Sequence, residues 1–109
     1  MSLPAIANLF APLPSAAAGE IFTELLARPG VRIERIVSEG QVTPEDSPFV
    51  QDADEWVLLL AGSAAIRLEA HDEAMLSPGD HLLISGGTRH WVTRTDLEVP
   101  TVWLAIHLG

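Results

Sequence analysis

From Val31 onward the chain is a succession of short apolar runs rich in Val, Ile, Leu and Trp, set apart by closely spaced turn signals. That rhythm belongs to an antiparallel barrel or sandwich. It predicts strands over residues 31–38, 56–61, 64–69, 81–85, 89–95 and 101–107, with one more short strand over 73–76. The breaks hold Gly, Pro, Asp or Ser in turn-compatible order, as in Ala61-Gly62-Ser63, Pro78-Gly79-Asp80 and Gly86-Gly87. Upstream, residues 20–27 fit either an amphipathic helix, with Phe22, Leu25 and Leu26 on one stripe, or a strand turning back through Pro29-Gly30. Eight residues make a marginal helix, so the strand is favoured, paired with 31–38 in a hairpin.

Composition narrows the classes. At 109 residues and 11.7 kDa there is room for one core. The hydrophobic share of 48% and mean hydropathy of +0.26 are high, yet no apolar run reaches the ~20 residues that a membrane-spanning helix needs. Fifteen acidic residues against six basic ones leave a net charge of −9. The six basic residues are arginines dispersed at 28, 32, 35, 67, 89 and 94, so neither nucleic acid nor an anionic membrane surface is an expected partner. Cysteine is absent, which excludes disulfides, thiolate metal sites and cysteine nucleophiles. Residues 1–19 are apolar, alanine-rich and broken by Pro4, Pro12 and Pro14, without a positive start. They read as a retained arm ahead of a barrel domain over 20–109, in a cytoplasmic protein. The apolar excess and the arm predict a homodimer.

Two segments carry chemistry. Glu55 is followed by six residues and then Gly62, and Gly79-Asp80 runs through a short strand to Gly86-Gly87-Thr88-Arg89-His90. This pairing resembles the two motifs of the cupin superfamily, with Ser85 in place of the second motif's proline. The resemblance implies an all-β fold, a small antiparallel jelly-roll barrel with an open interior site. It also shows departures. The first motif's histidine pair falls on Phe49 and Gln51, and the asparagine that follows the last histidine falls on Arg94. The runs Ile33-Glu34-Arg35-Ile36-Val37-Ser38, Glu55-Trp56-Val57-Leu58-Leu59-Leu60 and Thr101-Val102-Trp103-Leu104-Ala105-Ile106-His107 are further similar to a group of bacterial cupins of undetermined role. In that group an aromatic and a glutamine commonly stand at the Phe49 and Gln51 positions, which implies a different site, not a decayed one.

Strand alternation puts Phe49, Gln51, Ala53 and Glu55 on one face if that segment is extended, and His90, Val92 and Arg94 on one face of theirs. Gln51, Glu55 and His90 are the expected metal ligands. Their mixed N and O donors suit Zn, Fe, Mn, Co or Ni better than Ca. Phe49, Arg94, Trp103 and His107 are the expected substrate-binding positions. His107, on the face of Trp103 and Ala105, reads either as a near-terminal edge residue or as an added interior donor. His71 reads as solvated and His81 as a packed strand residue beside Leu83. Two functions stand side by side, a metal-dependent enzyme acting on a small polar metabolite and a metal-free small-molecule-binding module.

Overall fold

In a computed structural model that describes residues 3–109, eight strands form two antiparallel sheets and there is no α-helix among the described residues. The strands are β1 (Ile21–Arg28), β2 (Val31–Ser38), β3 (Asp54–Ala61), β4 (Ala64–Leu68), β5 (Ala74–Leu76), β6 (His81–Ile84), β7 (His90–Thr95) and β8 (Thr101–Leu108). One sheet runs β1-β2-β8-β3-β6 and the other β5-β4-β7. The barrel expected from the turn rhythm is therefore present, and residues 20–27 are a strand in the hairpin with β2.

Alternation sorts each strand into an inner and an outer row. Val57 and Leu59 of β3, Trp103 and Ala105 of β8, Ile66 of β4 and Ile84 of β6 form the core between the sheets. Leu59 is fully buried, and truncating such a residue to alanine costs about 2–5 kcal/mol. The outer face of β2 is also covered. Arg35 is buried there, donating from Nη1 to the Leu9 carbonyl (3.0 Å) and from Nη2 to Thr23 Oγ1 (3.3 Å). Gln41 Nε2 reaches the Ala16 carbonyl and Glu39 accepts from the Ala16 amide, so residues 9–16 lie along the outside of the five-stranded sheet.

Strand β8 holds the sheet together. It pairs with β2 on one side and β3 on the other along nearly its whole length. His107 thus belongs to a central strand, and the expectation of an edge position is corrected. Residues close to the end of a sequence are not thereby at the edge of a sheet, because pairing order is set by long-range contacts.

Candidate functional site

The pairing register builds a polar row inside an apolar barrel. Arg32 of β2 stands opposite His107 of β8, and His107 stands opposite Glu55 of β3. Glu34, two residues along β2, shares the inner face with Arg32. Its Oε1 lies 2.9 Å from His107 Nε2, and its Oε2 accepts from Arg32 Nη1, also at 2.9 Å. Glu55 Oε2 is 3.7 Å from the same His107 nitrogen. One donor atom from each of Glu34, Glu55 and His107 falls within 4.8 Å of the others.

His90 approaches from the second sheet. It begins β7, and its backbone exchanges two hydrogen bonds of 2.9 Å with Phe49 across an isolated bridge. The segment before β3 thus crosses from one sheet to the other. Gly86 lets it pass, because a Cβ there would sit 2.1 Å from the Asp52 carbonyl oxygen, and its amide donates to Asp54 Oδ1 at 2.8 Å. The result brings His90 Nε2 to 3.4 Å from Glu55 Oε1, with both side chains buried. On the other side of the ring, Nδ1 lies 3.1 Å from the Thr88 carbonyl. A carbonyl only accepts, so Nδ1 carries a hydrogen, and Nε2 is the ring nitrogen turned toward the carboxylate.

Glu55 is 5% exposed, and neither of its oxygens accepts a hydrogen bond among the described residues. Oε1 faces His90 Nε2 and Oε2 faces His107 Nε2, so the carboxylate turns into the cavity with an imidazole nitrogen on either side. The close donor group that could hold a cation is Glu34, Glu55 and His107, with His90 Nε2 beside Glu55. The donors fit a divalent transition metal: carboxylate oxygens with imidazole nitrogens, one imidazole oriented through its far N–H by a backbone carbonyl in the manner of metal-bound histidines.

Glu34, Glu55 and His90 face a cavity of about 50 Å³ that opens to solvent, while His107 lines the depression next to it. Glu20, Glu34, Glu55, Gln51 and His90 supply its polar wall, and Phe22, Ile36, Phe49, Val57, Ile66, Ile84, Val92 and Trp103 its apolar one. Of the sequence-expected residues, Phe49, Gln51, Glu55, His90 and Trp103 meet here. Phe49 lies on His90 with ring centroids 5.7 Å apart and planes 27° from parallel. Gln51 lines the cavity, while the close donor group is Glu34, Glu55 and His107.

Arg94 does not face this cavity. A register shift where β4 pairs with β7 moves the partner sequence from Ile66↔Val92 to Ala65↔Arg94, so the alternation changes phase after Val92. Thr95 is buried, and Arg94 is exposed in a separate surface depression with Ser63 and Asp96. Ala53 also leaves the shared face, lying with Arg32, His107 and Gly109 in a third depression. His81 and Leu83 are on the outer face, the His81 ring 5.2 Å from that of Trp56, and His71 is exposed with Nδ1 2.9 Å from the Glu69 carbonyl. Glu34 is the residue that sequence reading missed. Its signal is its alternation with Ile36 on a strand next to that of His107.

Neither a family model nor a curated sequence matches the chain. Solved structures do. A candidate mannose-6-phosphate isomerase from Ralstonia eutropha JMP134 is 44% identical over 97% of this chain and 99% of its own, with a TM-score of 0.93. An RmlC-like cupin family protein with a double-stranded β-helix fold from Methanocaldococcus jannaschii superposes with a TM-score of 0.69 at 13% identity, over 89% of this chain and 86% of its own. The DMSP lyase DddQ from Ruegeria pomeroyi DSS-3 gives 0.72 at 20% identity, over 96% of this chain and 55% of its own. The two more distant likenesses are likenesses of fold.

Proposed function

The chain belongs to the cupin superfamily, and we propose that it is a metal-dependent cupin whose interior cluster holds a divalent transition ion and acts on a small polar metabolite. The observation that supports this reading is the grouping of one donor atom each from Glu34, Glu55 and His107 within 4.8 Å, with the cavity-facing Glu55 carboxylate between two imidazole nitrogens. Glu34, Glu55 and His107 are the proposed ligands with His90 as a fourth donor, and Gln51 offers a neutral amide at the ligand's side. A divalent ion bound there supplies Lewis-acid polarisation of a ligand oxygen; Zn, Fe, Mn, Co and Ni all suit the donor set. The chain's own part is orientation. The Thr88 carbonyl orients His90 through Nδ1 and Arg32 holds Glu34, while the contact of Glu34 with His107 Nε2 is the one that an ion would replace.

Phe49 favours a second reading, a metal-free binding module, because a phenyl ring lies on His90 where the family's first motif carries a histidine. Titrating Zn or Mn into chelator-treated protein by calorimetry separates the two. One site per chain is expected, with affinity reduced about 100-fold or more by Glu55→Gln or His107→Ala. A flat isotherm for the unaltered protein would leave the metal-free module.

The proposal extends to a cytoplasmic homodimer. Leu3, Ile6 and Phe10 of the arm and Leu25 and Leu26 of β1 are exposed apolar side chains, more than one small chain covers by itself. Light scattering at micromolar concentration is expected to show twice the chain mass. A mass of 11.7 kDa would rule the dimer out.

A further inference from the structure

The cavity wall also discriminates among ligands. Three carboxylates line it, Glu20, Glu34 and Glu55, and among the described residues no lysine or arginine does. The nearest cation, Arg32, lines the neighbouring depression and is engaged with Glu34 Oε2. With a divalent ion and Arg32 both counted, the formal charges leave no positive surplus to receive a phosphate dianion, and the net charge of −9 repels one on approach.

Glu20 is the carboxylate that the metal cluster does not use. It is half-buried just ahead of β1, and its Oε2 accepts from Ser38 Oγ at 2.5 Å, which fixes the group while leaving Oε1 without a partner among the described residues. Phe22, Phe49 and Trp103 supply the aromatic part of the same wall. A carboxylate beside aromatic faces is the environment that receives an organic ammonium group, through a charge-assisted hydrogen bond and cation–π attraction.

Resting on the proposed reading of this cavity as the ligand site, we infer that its ligand class is a compact amine with an apolar body, its ammonium held by Glu20, and not a phosphorylated sugar. This departs from the activity for which the 44% identical relative is named. Because Glu20 lies outside the metal cluster, the amine binds with or without the ion.

The test is calorimetry on the full chain, both chelator-treated and Mn-loaded, with isoamylamine, mannose and mannose 6-phosphate as probes. Isoamylamine is expected to bind both forms, with Glu20→Gln weakening it about tenfold or more and Glu24→Gln, on the adjacent exposed position of β1, leaving it unchanged. Should Glu20→Gln lower the melting temperature, Phe22→Ala gives a second reading, expected to weaken the amine severalfold through loss of the aromatic face. Tighter binding of mannose 6-phosphate than of isoamylamine, or amine binding indifferent to both substitutions, would overturn the inference. Amine binding without any Mn isotherm would sink the metal reading and leave this one standing, and the converse result would do the opposite.

Discussion

The two ends of β8 hold buried polar groups in opposite conditions. At its start, Thr101 donates from Oγ1 to the Ser63 carbonyl (3.1 Å) and accepts from the Asp96 amide (3.1 Å), while Thr95 donates to the Gln41 carbonyl (2.7 Å) and Ser63 Oγ to Asp96 Oδ2 (2.8 Å). Every one of these groups has a protein partner. Six residues further, ~20 Å along an extended strand, His107 faces Glu55, whose carboxylate accepts no hydrogen bond among the described residues. Burial is alike at the two ends, so burial does not mark function here. Satisfaction does. A polar group answered by the chain stabilises the chain, whereas the Glu55 carboxylate faces a cavity and is open to something that arrives from outside.

The largest expected effect lies at the satisfied end. Gly62 has φ +82°, and a Cβ on it would meet Thr101 Oγ1 at 2.7 Å and both the Pro100 carbonyl oxygen and Thr101 Cα at 2.8 Å. Two of those three atoms are backbone and do not swing aside. Gly62→Ala is expected to cost ~3 kcal/mol or more from strain and overlap together, read by urea unfolding. A loss under about 1 kcal/mol would mean that the β3–β4 turn relaxes freely. Thr101→Val comes next, removing the hydroxyl from both of its hydrogen bonds for about 1–3 kcal/mol.

Glu55→Gln sharpens the contrast from the other end. Because the carboxylate is buried without donors, neutralising it removes a desolvation cost, and the chelator-treated variant should be as stable as the unaltered protein or more so, even as it loses its metal. The same type of change, removal of one buried polar function, thus costs stability at one end of β8 and costs binding at the other. Unfolding in urea, with and without added Mn, compares them directly. A loss above about 1 kcal/mol in the metal-free variant would show that the chain itself compensates Glu55.

The strands were legible in the sequence because each is short, apolar and closed by a turn residue, and those are local properties. Half of the cavity was legible for a similar reason. Glu55 and His90 sit at fixed distances from turn glycines, and Phe49 and Gln51 fall where the resemblance puts the first motif's histidine pair, although a bend at residues 52–53 breaks the alternation between them and Glu55. The other half depends on which strands become neighbours. Glu34 and His107 are 73 residues apart and meet because β8 inserts between β2 and β3, a long-range choice that leaves no local trace. Arg94 shows the reverse failure. Its face was read from strict period two, and the register shift between β4 and β7 sets the phase wrong by one residue.

The smallest expected effect concerns Asp96, an acid at the satisfied end. The Glu98 amide bonds its carboxylate, as do the Ser63 hydroxyl and the Val99 amide, and with a smaller contribution from the Arg94 charge they hold its pKa below the usual 3.8. Donors that prefer the ionised form must stabilise the fold wherever that form is populated. For a folded-state pKa that is depressed, the contribution is present in full above the unfolded value and disappears as pH falls through the folded one. The group is open to water, so the effect is modest. Melting temperature followed from pH 7 downward should therefore stay level in this respect until about 4 and then lose the Asp96 contribution below it. Asp96→Asn should melt lower than the unaltered protein at pH 7, with the gap narrowing as pH falls below about 3.8 and closing once pH is under the depressed folded-state pKa, where the carboxyl is uncharged like the amide. A gap that is constant across that range would mean that the loop from Asp96 to Pro100 is held by the shape of the side chain and not by its charge.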